Sequence, residues 1–493
     1  MPTTLKVGWR SATAAAAVVL GVALAAPAAD WPQLQNGPGH TGYTPDEPRP
    51  PYAVRWVRDL EEPTQSASQP VVVGDKVFVG TGRGNLYALD RATGETAWTY
   101  RAGAPIFGTA AASDGLVYVT SCDRRCHAVR ASDGKAVWTF ETGAPLWASP
   151  VVAEHKVFVA GRDGFVYALG AKSGKEAWRA PVPSLVMLTP AYADGVLYVG
   201  VGDMRVYAFD AASGKRRWVS DPLPGSAMRE YWLVAAAGCV VATVDHAVPL
   251  RTHWGRMQKE VMQPFIEAHK NDKVLVEDDV FPRLRAYYER HPEMQWLFVL
   301  DAATGRQKFI APLAAVEGGG STPVPPVVGP DGWAYLVYAN IHLSASGNAF
   351  FGRLNLATGE VDPLLDGRYA GPANLLGFPG HKPAPGTSWP RHKGDFFGGF
   401  CVMDQGWAVS LGGRIAYPVR DPSWAYQAPF HNWHDLDTGE GGYVPGDLMD
   451  QRRIGDKGVY GSGCHSTVSP MAVAGKDLVH KSVRSVVFCF EGK

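Results

Sequence analysis

Four stretches decide the fold: LYALDRATGETAW at 86–98, CHAVRASDGKAVW at 126–138, VYALGAKSGKEAW at 166–178 and VYAFDAASGKRRW at 206–218. Trp98, Trp138, Trp178 and Trp218 stand 40 residues apart, and each has a glycine four positions earlier: Gly94, Gly134, Gly174 and Gly214. Upstream of each lies a second apolar run, DKVFVG, GLVYVT, HKVFVA and GVLYVG in turn. Alternating residues such as Val77, Val79, Leu86 and Ala88 read as strands with one buried face. Asp-x-x-Thr/Ser-Gly between the last two strands is hairpin-turn chemistry, with Asp capping the backbone and Gly taking a positive φ. A meander of this size cannot bury its own faces. It must stack on copies of itself, and radial closure leaves few open edges.

Working outward, the period continues in altered form. Leu300–Gly305 ends a fifth unit with Phe309 in the tryptophan slot, and Leu354–Gly359 ends a sixth with Pro363 there. A seventh centres on Asp404–Val409, and the eighth ends in the strand Val486–Phe490. That strand is the third of its unit. The missing fourth is expected from Val54–Val57, which would zip head to tail. The fold class is thus all-β: an eight-bladed β-propeller of four-stranded blades, seven being the alternative count, closed by the N-terminal strand. A partly helical insertion at 249–295 interrupts blade five. Within it Asp279 is expected to cap a helix carrying Phe281, Leu284 and Tyr288 on one face, with Met257, Val261 and Phe265 on an earlier one.

Residues 1–29 read as a signal peptide. Lys6 and Arg10 precede an apolar run too short to span a bilayer, and Ala26–Ala29 offers a cleavage site near Ala28/Ala29. Residues 30–493 are then the propeller, periplasmic or secreted. Lys+Arg and Asp+Glu number 47 each; without the leader the balance is 45 against 47, a net charge of −2. No such balance draws nucleic acid or an anionic membrane.

The repeat tryptophan with its preceding Thr/Ser-Gly resembles the docking motif of the PQQ-like propeller repeats of the quinoprotein alcohol dehydrogenase superfamily. Asp30-Trp31-Pro32-Gln33 and Gly39-His40-Thr41-Gly42 resemble the opening of exported members. The resemblance is strong over residues 69–223. It implies one of two trades: a quinoprotein dehydrogenase using PQQ and Ca²⁺, or a cofactor-free scaffold similar to the outer-membrane-protein assembly lipoprotein. Fold alone does not choose between them. Family dehydrogenases carry an adjacent Cys-Cys pair or a C-x-x-C-H haem site, and this chain has neither. No Asp, Glu or Asn set aligns with the family's calcium ligands.

Cys122 and Cys126 flank a hairpin tip and are expected to form a disulfide staple in an oxidising compartment. Cys239, Cys401, Cys464 and Cys489 leave three pairings open. Of the 14 histidines, seven lie between 342 and 480. His381, His392, His431, His434 and His465, with Asp435 and Asp437, are the candidate metal set, if blade-connecting loops converge on one face. The bland alternative is polar side chains satisfying long-loop backbone. No catalytic residue is assigned. The leading expectation is a non-catalytic envelope scaffold that binds a protein or saccharide on one propeller face. The quinoprotein dehydrogenase is the first alternative, and a metal-dependent enzyme on the His/Asp loops the second.

Overall fold

A computed structural model describes residues 29–46, 48, 53–65, 67–229, 231–248, 250–268, 280–315, 325–339, 349–363, 407–410, 415–418, 432–435, 441–443, 471–481 and 485–493. The described strands form eight sheets, seven of four strands and one of five. Blade one comprises Val71–Val73, Lys76–Gly80, Asn85–Asp90 and Thr96–Arg101, paired antiparallel in sequence order. Blades two (111–141), three (151–181) and four (191–219) repeat it with one register shift each before the outer tryptophan. Blades five (234–310) and six (327–363) keep the same strand order.

Head and tail meet as expected. Ala53–Asp59 pairs antiparallel with Val486–Glu491, Trp56 lying opposite Cys489, as the outer strand of a sheet that also holds Asp477–Lys481 and Ala472–Ala474. The N-terminus thus supplies the last strand of the last sheet.

One expectation changes. The second strand of a blade is buried on both faces, not one: Val77, Phe78 and Val79 are all within 1% of fully buried. Each sheet is sandwiched between two others, so alternation survives only on the outer strand, where Thr96–Arg101 alternates half-buried and exposed.

The tryptophans show how the blades lock. Each ring packs not on the glycine of its own repeat but on that of the next blade. A Cβ built on Gly134 would stand 2.6 Å from the Trp98 ring; Trp138 covers Gly174, and Trp178 covers Gly214. These glycines take φ between +66° and +74°, which any side chain would strain even without the ring. The indole N–H then donates to the carbonyl three residues before that glycine. Trp56 reaches Arg91 O at 2.8 Å, Trp98 Ala131 O at 3.0 Å, Trp138 Ala171 O at 2.8 Å, Trp178 Ala211 O at 3.0 Å and Trp218 Ala302 O at 3.0 Å.

The insertion lies between Cys239–Thr243 and Leu297–Asp301, the second and third strands of blade five. It forms α1 (Leu250–Met257), a π-turn (Gln258–Met262), α2 (Gln263–Ala268) and α3 (Phe281–Arg290). The wide turn immediately before Pro264 relieves the clash between the proline ring and the preceding turn, so the helix bends instead of stopping. Met257, Val261, Phe265, Phe281, Leu284 and Tyr288 are buried, as their spacing required. Asp279 lies outside the described residues; the residue capping α3 is Val280, with Pro282 in the first turn. Phe281 meets Tyr338 edge-on and Arg285 donates to Gly359 O at 3.1 Å, so the insertion is packed across the join of blades five and six.

Candidate functional site

Each meander places its first–second and third–fourth turns at one face of the ring. The second–third turn and the long loop to the next inner strand lie at the other. The first is called the turn face and the second the loop face. The helical insertion is a second–third connection and therefore stands on the loop face.

The axis is occupied by the chain itself. Residues 30–46 run as a strap past the inner strands. Trp31 is fully buried and bridges Val72, N–H to carbonyl both ways, at 2.7 and 3.0 Å. Next come Ala112 N–H to Pro32 O (2.7 Å), Tyr192 N–H to Pro38 O (2.7 Å), Ala235 N–H to Gly39 O (2.9 Å) and Val328 N–H to Thr41 O (2.7 Å). In blade three the Gln33 side-chain amide substitutes for a peptide, accepting from Val152 N–H at 3.0 Å and donating to Val152 O at 3.2 Å. Tyr43–Thr44 pairs parallel with Val409–Ser410, and the Asp46 carboxylate accepts from Gly475 N–H at 2.8 Å. Asp30 and Asp46 both bind first–second turns, so the strap enters and leaves on the turn face. His40 is fully buried with Nδ1 3.0 Å from Leu233 O, and burial pushes its pKa down to about 4.

Below the strap a polar belt runs along blades one to four. Gln69 N–H donates to Thr109 Oγ1 (2.9 Å), Thr109 N–H to Ser149 Oγ (2.8 Å) and Ser149 N–H to Thr189 Oγ1 (3.0 Å). Two positions earlier in each loop stand Ala67, Phe107, Trp147 and Met187, all half-buried on the loop face. Phe107 meets Trp147 edge-on at 5.1 Å, and the Arg162 guanidinium lies 5.1 Å from the Trp147 ring centre. Both rows recur every 40 residues. That spacing is a signal the sequence offered beside the louder tryptophan period.

Acids in the second–third turns hold partners on the third strand. Tyr167 donates to Asp163 at 2.7 Å and Tyr207 to Asp203 at 2.6 Å; in blade six a like pair, Tyr335 to Asp331 at 2.8 Å, instead joins the second strand to the first–second turn. In blade one Glu62 takes this role, accepting from Thr81 (2.6 Å), Asn85 (2.7 Å) and Tyr87 (2.9 Å). Burial works against its charge, but these three donors hold its carboxyl below the usual range. Blade two substitutes His127, which sits between Asp123 (3.0 Å) and Tyr100 (2.9 Å). Burial lowers its pKa, and both ring nitrogens are engaged, as in a structural histidine.

Of the expected metal set, His381, His392, His431, His465 and Asp437 lie outside the described residues. His434 and Asp435 lie on the strand Asn432–Asp435, opposite Ala416 and Ile415. Among the described residues no three His, Cys, Asp or Glu side chains converge as a metal would require. The staple is corrected: Cys122 and Cys126 are free thiols, as are Cys239 and Cys489. Cys126 pairs across the hairpin with Thr120 and turns its fully buried sulfur into the apolar layer, whereas Cys122 lies in the turn, half-exposed.

A family model described as outer membrane protein assembly factor BamB matches residues 52–148 and 127–248. No curated protein matches the sequence. Among solved structures the chain is similar to a europium-containing methanol dehydrogenase: 13% identity, 84% of each chain, TM-score 0.53. It is also similar to the quinohemoprotein alcohol dehydrogenase of Comamonas testosteroni: 14% identity, 96% of this chain and 82% of that one, TM-score 0.51. BamB from Moraxella catarrhalis aligns at 15% identity over 90% of this chain and 98% of that one, TM-score 0.48. No described helix is long and apolar enough to cross a membrane. Its docked tryptophans and closing strand, with the family match over residues 52–248 and the two structures above TM-score 0.5, give the chain the fold of a PQQ-like β-propeller.

Proposed function

We propose that this protein is a non-catalytic binding scaffold of the cell envelope, eight-bladed, exported by its leader and holding a partner on the loop face. The observation that carries the reading is the half-buried row Phe107, Trp147 and Met187 on three successive blades, with Arg162 across Trp147. Aromatic, Met and Arg side chains are the residues that interfaces concentrate, and rigid blades present them with little ordering cost. A protein surface suits this apolar row better than a saccharide. The family description, an outer membrane assembly factor, points the same way.

A photo-crosslinking residue at Phe107 or Trp147 should give a discrete adduct in intact envelopes, and one at Lys172, exposed on the turn face, should not. Equal labelling from both faces would remove the loop face as the binding surface.

The second reading, a PQQ- and calcium-dependent dehydrogenase, draws on the names of the two structures above TM-score 0.5. Among the described residues no three His, Cys, Asp or Glu side chains gather as a metal ion would require. Purified protein mixed with PQQ and Ca²⁺ is expected to show neither a quinone absorbance shift nor dye-linked alcohol oxidation. Either signal at stoichiometric cofactor would replace the scaffold by the enzyme.

A further inference from the structure

A propeller leaves the axial side of every inner strand unpaired, and an unpaired edge is a template for another chain. Here the strap fills that ring in blade order: residues 31, 32, 33, 38, 39, 41, 43 and 46 meet residues 72, 112, 152, 192, 235, 328, 409 and 475. We propose that the axial edge ring is a peptide-binding site in its own right, and that residues 31–43 are its resident occupant, exchangeable for the same sequence supplied in trans.

Three observations carry this. First, the ring closes without the strap. The Trp56 seam and the pairing of Ala53–Asp59 with Val486–Glu491 lie after it in the chain, so the blades keep one another in place when the axis is empty. Second, the recognition is that of a peptide ligand. Most contacts are main-chain, and the Trp31–Tyr43 stretch has no Lys, Arg, Asp or Glu. Pro32 and Pro38 bind through their carbonyls, the one polar group a proline retains. Third, the fit is selective. A Cβ on Gly39 would stand 2.6 Å from Ala235 O, so the backbone approaches there only because the residue is glycine. The ligand class is therefore an uncharged, Pro/Gly-rich segment that turns at Leu34–Asn36. While the strap is seated it closes the axis on the turn face, leaving the loop face for any other ligand; the inference does not depend on the scaffold role.

The test uses the full chain with a site-specific protease sequence inserted between Asp46 and Ala53, folded first and cut afterwards. A fluorescein-labelled peptide of residues 29–46 is the probe. The cut protein should keep its near-ultraviolet circular dichroism and bind the probe, seen as a rise in anisotropy, while the uncut chain does not. A Gln33→Ala peptide should bind about tenfold more weakly, having lost both bonds to Val152. A Gly39→Val peptide should not compete. The proposal fails if the cut protein unfolds, if it never takes up the probe, if cut and uncut chains bind it alike, or if the Gly39→Val peptide competes as well as the parent.

Discussion

Blades one to four and blades five and six solve the same packing problem with different residues. In the first group a tryptophan covers the next glycine and donates to the carbonyl beside it. At the five–six seam Phe309 covers Gly359 but has no N–H to give. The carbonyl in the equivalent place, Leu356 O, is met by the Cys239 thiol at 3.4 Å. Stacking and hydrogen bonding, fused in one side chain in the early blades, are divided between two residues here. The ring on glycine is therefore the invariant part of the lock. The donor is interchangeable.

The largest effect should follow from disturbing that invariant part. Gly174→Leu forces a side chain into φ +66° and against the Trp138 ring, 2.6 Å from where its Cβ would stand. Backbone strain and overpacking together should cost roughly 4 kcal/mol. Gly359→Leu meets Phe309 at 2.8 Å, a smaller ring with no hydrogen bond to lose, and should cost about half as much. Urea midpoints of the two variants check the ratio; equal losses would mean that the two seams are equivalent.

The two regions also join at a slip in the period. Inner-strand positions 72, 112, 152 and 192 are followed by 235, and His40 of the strap binds Leu233 O at that join. Its pKa is about 4 in the fold because burial disfavours the cation. The unfolded chain takes up a proton near pH 6.5 and the folded protein does not, so stability is lost as pH falls from about 6.5 to 4, by up to the order of 3 kcal/mol. The His40→Gln variant should lack this contribution. Urea midpoints of both proteins at pH 7 and pH 5 should therefore diverge from parallel behaviour, the parent falling further.

What could be read from sequence followed the same division. The 40-residue period gave the blades, the turn glycines and the closing strand because each is written several times over. The strap is written once. Its Pro32 and Pro38 carbonyls and the Gln33 amide have no periodic counterpart, so its opening could be matched to exported relatives without showing that it threads the axis. The insertion was visible as a broken period and its buried faces as helical spacing, but a π-turn before Pro264 follows from local sterics that no pattern of apolar residues encodes. Cys122 and Cys126 were misread as a staple because hairpin proximity was weighed and side-chain direction was not: Cys126 points into the blade interface. Phe107, Trp147 and Met187 carried a 40-residue signal too, masked because their side chains differ while their exposure repeats.

A finer test of the lock lies within the early blades. Ala171 O and Ala302 O each receive a second donor, Tyr118 OH at 3.2 Å and Tyr198 OH at 3.3 Å, whereas Phe78 and Phe158 occupy the corresponding place beside Ala131 O and Ala211 O. Replacing tryptophan by phenylalanine keeps most of the ring and removes the N–H. Trp98→Phe and Trp178→Phe should then cost about 2 kcal/mol, since the carbonyl loses the tryptophan N–H with no tyrosine beside it, and Trp138→Phe and Trp218→Phe about 1 kcal/mol. The five–six seam gives the converse. Phe309→Trp restores an N–H aimed at Leu356 O, where the Cys239 thiol already sits. Alone it should change stability little. In a Cys239→Ala background it should recover about 1 kcal/mol, a non-additivity read from a double-mutant cycle of urea midpoints. Strict additivity would mean that thiol and indole do not compete for that carbonyl, and that the late seam holds by stacking alone.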